Sequence, residues 1–398
     1  MSLFLQIVFW LCVFSLLHTY LFYPLILKIL SKGKQNNALV FDEGDELPFV
    51  SVIMSVYNEE KVIDEKMESL LKLEYPQEKL KIFVGSDCSD DSTNSKMEYF
   101  NRHHSHIFFI SFESRRGKPD VVNDLVALAF EKNSPGDHHV LLLTDASVIL
   151  QKDTLFQLVK HFKNKQIALV DANMLGTGMS AAGISKVENE YITTEVTLKH
   201  LEGIAFGKMI GPFGGCYALR SDFFTKIPPK YLVDDFFIAM KTFEKGGLAI
   251  NELEAKCFES VSNEIKEEYR RKARISAGNF QNLSTFKHLL WQMNSLSFAF
   301  FSHKVLRWLG PFFIIFAFLS NGLLALYDNF LYRMLFLFQT AFLLLVPMLD
   351  LLFKNLNINV LTFRKVRYFV MMNIALLEGF IKYLNGIKNN VWQPPKRN

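Results

Sequence analysis

Cysteine is scarce in this chain. Cys12, Cys88, Cys216 and Cys257 stand far apart with no paired spacing, which argues against a zinc site or a disulfide framework and fits reduced thiols. Charge of one sign is lacking too: 44 basic residues against 40 acidic ones leave +4, too small a bias to mark nucleic acid as a partner. No internal repeat and no low-complexity tract breaks the sequence. No Lys or Arg precedes the first apolar run, residues 3–27, whereas Lys28, Lys32 and Lys34 follow it. A secretory signal has the opposite polarity, so the run reads as a retained anchor whose far end lies in the cytoplasm.

Apolar residues, by contrast, are abundant. Half the chain is hydrophobic and 39 residues are Phe, high for a soluble enzyme and suggestive of membrane segments of roughly 20 residues each. Residues 1–30 are the anchor and residues 31–48, polar and acidic with Gly44 and Pro48, a linker. Residues 283–304 alternate apolar and polar positions at helical spacing, as an interfacial segment does, although core packing gives the same pattern. In residues 305–388, Trp308–Tyr327 reads as a span, Phe330–Phe353 as a returning one, and Tyr368–Tyr383 as a shorter segment carrying Glu378. Residues 389–398 form a basic tail with Lys396 and Arg397. The basic residues cluster beside the apolar segments, which predicts a lipid bilayer as partner and a multi-pass protein with its polar domain facing the cytosol at the inner (plasma) membrane.

That polar domain occupies residues 49–282. Strands at 50–56, 81–85, 107–112 and 140–144 alternate with helices at about 61–73 and 120–132, the pattern of a doubly wound α/β domain. The stretch from His139 to Thr144 is a buried strand that stops at Asp145. Ligands of open α/β sheets sit beyond the carboxyl ends of the strands. A carboxylate there can hold a divalent cation that neutralises a diphosphate, or it merely starts a turn.

Several motifs in order make the domain resemble a family 2 glycosyltransferase with the GT-A fold, of the membrane-embedded, processive kind that includes cellulose, hyaluronan and poly-N-acetylglucosamine synthases. "VSVIMSVYNEE" resembles the family's first strand, which implies that Tyr57, Asn58 and Glu59 hold the nucleotide base. "VGSDCSDDS" resembles the second motif, with Asp87 reading the uracil, and "RRGKPDVVN" a third, with Lys118 approaching the diphosphate. "TDAS" stands in place of the Asp-x-Asp metal motif, which implies Asp145 and Ser147 as ligands of Mg2+ or Mn2+; a serine replaces the usual second aspartate. "GPFGGCYALR" resembles the acceptor loop, with Gly214, Gly215 and Cys216 beside the sugar, although an ordinary turn has the same composition. "VDDFFIAMKTFEKG" resembles the acidic pair that opens a helix, in which Asp235 is the catalytic base and Asp234 its neighbour; either is also a good helix-start residue. Processive members carry Gln-x-x-Arg-Trp after the domain. Here Arg271-Lys272-Ala273-Arg274-Ile275 keeps Arg274 for the leaving diphosphate but loses the Gln and Trp, and a headgroup-binding helix face reads the same way.

The resemblance implies inverting transfer of a sugar from a nucleotide donor, UDP-linked, onto a growing polysaccharide or glycan. A single transfer to a lipid or polyprenyl phosphate is one rival. A catalytically silent subunit working with polysaccharide-export partners is another.

Overall fold

The computed structural model describes residues 2–42, 44–136, 138–179, 184–327, 330–356 and 358–387; the basic tail lies outside them. The chain divides into two compact units. One comprises residues 30–178 and 191–261, the other residues 1–29, 179–190 and 262–386.

The first unit is built on an eight-stranded sheet: β1 (Phe49–Val56), β2 (Leu80–Ser86), β3 (Ile107–Ser111), β4 (His139–Thr144), β5 (Ile149–Leu150), β6 (Ile167–Thr177), β7 (Cys216–Arg220) and β8 (Leu248–Ser260). Its order is β3-β2-β1-β4-β7-β6-β8-β5. The half from β3 to β4 is parallel. All six residues of β4 are buried, as expected of a strand covered on both faces. The other half departs from the doubly wound expectation. β7 enters antiparallel between β4 and β6, and only β6 and β8 pair in parallel there. Thr144 at the end of β4 pairs with Cys216 at the start of β7. The loop before Cys216 is thereby delivered to the carboxyl end of β4.

Helices cover the sheet close to the expected places. The first, Ile63–Leu71, buries Ile63, Met67 and Leu70. The next expected boundary shifts: helix Lys118–Lys132 starts two residues early, with Pro119 in its first turn and Gly117 before it at φ +90°. Proline suits that turn because its missing N–H has no helical partner there.

In the second unit, Ser2–Leu30 and Phe330–Asn355 are, among the described residues, long and apolar enough to cross a membrane. The expected span at 308–327 is one arm of a bent pair, Ser295–Trp308 and Gly310–Ala325, which meet at 61°. The helical spacing expected across 283–304 is interrupted. Helix Ile265–Phe286 gives way to a 3-10 turn at Lys287–Gln292, and Met293 takes a left-handed conformation at φ 49°. Asn294 then caps a new helix by accepting from the Ser297 amide at 2.9 Å.

Candidate active site

The loops after β1 and β2 are laced together. Asn58 sits at φ 50°, a conformation asparagine tolerates better than most residues. Its side chain donates to Asp90 Oδ1 at 2.5 Å and accepts from the Asp90 amide at 3.0 Å, while the Glu59 amide donates to Thr93 Oγ1 at 2.9 Å. Asn58 and Glu59 therefore shape the loops beyond the carboxyl ends of β1 and β2. Asp87 is buried and accepts from the amides of Arg116 at 2.6 Å and Gly117 at 3.0 Å and from Arg115 Nε at 3.1 Å. The Arg115 guanidinium lies 3.2 Å from the centre of the Tyr57 ring. Tyr57, Asp87 and Arg115 thus form one wall, and the loop they order leads directly into Lys118.

Lys118 is the hinge of the charged cluster. Its Nζ lies 2.7 Å from Asp145 Oδ1 and 3.9 Å from Asp234 Oδ2. Burial opposes the lysine's charge, but Asp145 and Asp234 outweigh it and hold the pKa above the ordinary lysine value. Asp234 and Asp235 open the helix Asp234–Glu244, with Val233 rather than an aspartate at the cap position. Asp235 Oδ1 accepts from the Phe236 amide at 2.8 Å. Burial, then the charge of Asp234, pushes the Asp235 carboxyl up to about 7. Gly214 is pressed against this carboxylate at φ +86°, and a Cβ there would overlap Asp235 Oδ2.

The turn after β4 is tied to the same loop, since the Asp145 amide donates to the Gly215 carbonyl at 3.0 Å. Gly215 is itself wedged between Met174 and Val148. The expected acceptor role does not extend to the Cys216 side chain, because the thiol is buried in the core. A buried thiol offers a sugar no contact, so Gly214 and Gly215 carry that expectation. Arg274 lies half-buried on helix Ile265–Phe286 in the second unit. Its neighbours there are spent on acids: Arg271 pairs with Glu188 and Glu268, both at 2.8 Å, and Lys272 lies 3.4 Å from Glu268.

Ser147 Oγ donates to Glu259 Oε1 at 2.9 Å. A second carboxylate thus stands beside the serine, brought from β8 rather than from the motif. The donor set suits a hard divalent cation: Asp145, Ser147 and Glu259 offer oxygens only. Among the described residues no group of three or more His, Cys, Asp or Glu side chains is gathered to hold a metal, so a cation here would complete its shell with phosphate and water oxygens. Sequence reading missed Arg115 and Glu259. The first sits in the quoted motif; the second had no local signal.

Residues 51–227 match the family model of glycosyl transferase family 2. Poly-beta-1,6-N-acetyl-D-glucosamine synthase of Staphylococcus epidermidis is 25% identical over 166 residues, 38% of either chain. The Staphylococcus aureus (strain COL) protein of the same name is 25% identical over 120 residues, 30% of this chain and 27% of its own. The match therefore spans well under half the length of these relatives. Mannosyltransferase PcManGT from Pyrobaculum calidifontis, solved in complex with GDP-Man and Mn2+, superposes with a TM-score of 0.70 at 18% identity, covering 96% of this chain and 99% of that one. Residues 51–227 therefore carry a glycosyl transferase family 2 domain, and the chain shares the GT-A fold of that mannosyltransferase.

Proposed function

We propose that the chain moves a sugar, with inversion, from a UDP-linked donor onto a growing glycan at the cytoplasmic face of a membrane. The observation that carries this reading is the convergence of Lys118, Asp145, Asp234 and Asp235 around Gly214, with Lys118 2.7 Å from Asp145. Tyr57, Asp87 and Arg115 hold the base of the nucleotide. Asp145 and Ser147 hold Mg2+ or Mn2+, with the Glu259 charge behind the serine. When bound, such a cation would supply charge neutralisation at the diphosphate. Lys118 binds the same phosphates, which compete with Asp145 for its ammonium. Asp235 takes the proton of the acceptor hydroxyl as that oxygen attacks the anomeric carbon. Asp234 keeps Lys118 in place and raises the basicity of Asp235. Membrane-reconstituted protein, incubated with radiolabelled UDP- and GDP-sugars, tests this: labelled polymer from a UDP-sugar is expected, and no product from any donor would sink it.

A second reading, single transfer to a lipid-linked acceptor, gains from the pairing of Arg271 and Lys272 with Glu188 and Glu268. The basic motif that marks processive members is then largely internal. One labelled sugar per lipid, extractable into organic solvent, distinguishes this outcome from polymer.

Two further results are expected. Gly214→Ala forces a left-handed conformation on alanine, costing about 1–2 kcal/mol, and displaces Asp235. A displacement near 1 Å can lower turnover roughly a hundredfold. Nucleotide affinity, read by calorimetry, is expected to hold while kcat falls; an unchanged kcat would separate Gly214 from Asp235 function. For topology, Tyr99 is 58% exposed on the first unit. With Cys12 and Cys88 removed, Tyr99→Cys is expected to resist a membrane-impermeant maleimide in intact cells and to react after permeabilisation. Rapid labelling of intact cells would reverse the orientation.

A further inference from the structure

Lys66 lies on helix Ile63–Leu71 between acidic neighbours, yet it has no solvent exposure at all. Its ammonium runs under the sheet and donates to Thr144 Oγ1 at 2.8 Å and to the Val148 carbonyl at 2.6 Å. Among the described residues no carboxylate pairs with it within 4.0 Å. A buried cation without a paired anion is costly, and a linear apolar side chain would fill the same space at lower cost. Its two acceptors show what the buried ammonium ties together. Thr144 is the last residue of β4 and Val148 the fourth after it, so the bonds bracket the turn that carries Asp145 and Ser147. The same turn is closed from inside by the Val148 amide donating to the Asp145 carbonyl at 3.2 Å. Thr144 Oγ1 also donates to the Gly215 carbonyl at 2.9 Å, joining the bracket to the loop that meets Asp235.

We propose that Lys66 is a positioning residue for the cation: it fixes both ends of the Thr144–Val148 turn so that Asp145 and Ser147 present their oxygens together. This rests on the assignment of those two residues as metal ligands. Groups that orient metal ligands without touching the ion typically change affinity by about 10–100-fold when removed. The sign is diagnostic. Removing a positive charge near a cation site strengthens cation binding, whereas loosening the turn weakens it.

The test is Mn2+ binding by the full-length, UDP-saturated protein, followed through the paramagnetic resonance signal of free Mn2+. Lys66→Met is expected to keep its melting temperature within a few degrees and lose Mn2+ affinity by about tenfold or more. The Mn2+ concentration for half-maximal transfer is expected to rise in parallel, with UDP affinity in chelator unchanged. Thr144→Val removes one acceptor and keeps the ammonium; a smaller loss is expected, and the double variant should lose less than the two combined. Unchanged or tighter Mn2+ binding in a folded Lys66→Met protein overturns the proposal. If Lys66→Met does not fold, Thr144→Val decides, and wild-type Mn2+ binding by it overturns the proposal equally. A wild-type protein that binds no Mn2+ removes the metal assignment itself and this inference with it.

Discussion

Asp235→Asn is expected to leave nucleotide binding intact and to cut transfer by a factor on the order of a hundred to ten thousand, the range for loss of a general base. The proposed donor contacts are Tyr57, Asp87, Arg115, Lys118 and the Asp145 turn, none of which bonds to the Asp235 side chain, whose bonded partner is the Phe236 amide. The base must be ionised to accept a proton. Because burial and Asp234 raise its pKa to about 7, kcat/KM is expected to be full above that pH and to fall as pH drops through it. Asp234→Asn removes a like charge and is expected to move that limb to lower pH, whereas Asp235→Asn should erase it. Stability moves the opposite way. A carboxyl whose folded pKa lies above its unfolded value costs stability as pH rises from about 4 to 7, so Asp235→Asn is expected to melt higher than wild type at pH 8 and alike at pH 3. UDP release with acceptor present, measured across pH, decides the matter. A variant that turns over like wild type would remove the base assignment.

The parts of the fold legible in sequence were those whose burial is uniform. β1, β2 and β4 are largely buried and mostly apolar, and each is followed at once by a residue of the candidate site: Tyr57, Asp87 and Asp145. β7 was not legible as a strand. Cys216–Arg220 is four apolar residues closed by an arginine, which read equally as a turn of helix, and its antiparallel entry between β4 and β6 depends on chain far away. Charge misled more than hydrophobicity did. Lys66 among glutamates has the pattern of a solvated helix face, and only the packing of that helix on the sheet buries it. Arg271 and Lys272, which with Arg274 have the composition of a headgroup-binding face, both pair with Glu188, more than eighty residues earlier. Ser147 stands where a second aspartate is usual, and the carboxylate beside it, Glu259, has no local signal because it arrives from β8.

Asp145→Asn is expected to reduce transfer about as severely as Asp235→Asn, but by a route that metal can partly reverse. Asp145 is the one ionised side chain that the turn after β4 offers to a cation, and its carboxylate is also 2.7 Å from Lys118. The substitution keeps an oxygen and the size of the side chain but removes the charge, so it weakens both the metal and the lysine contact. Loss of several kcal/mol of charge stabilisation at the diphosphate corresponds to a rate loss on the order of a hundred to ten thousand. Raising Mn2+ is expected to restore part of the rate in Asp145→Asn, because an amide oxygen remains a weak ligand. Lys118→Met separates the two causes: it removes the lysine's contact with donor phosphate, leaves the cation's ligands in place, and is expected not to respond to added Mn2+. Chelator should bring the wild-type rate down to the Asp145→Asn level, and Mg2+ or Mn2+ should recover it, whereas Zn2+ should not, the donor set being oxygen alone. Wild-type transfer at full rate in excess chelator would take the metal out of this chemistry and leave Asp145 as the partner of Lys118.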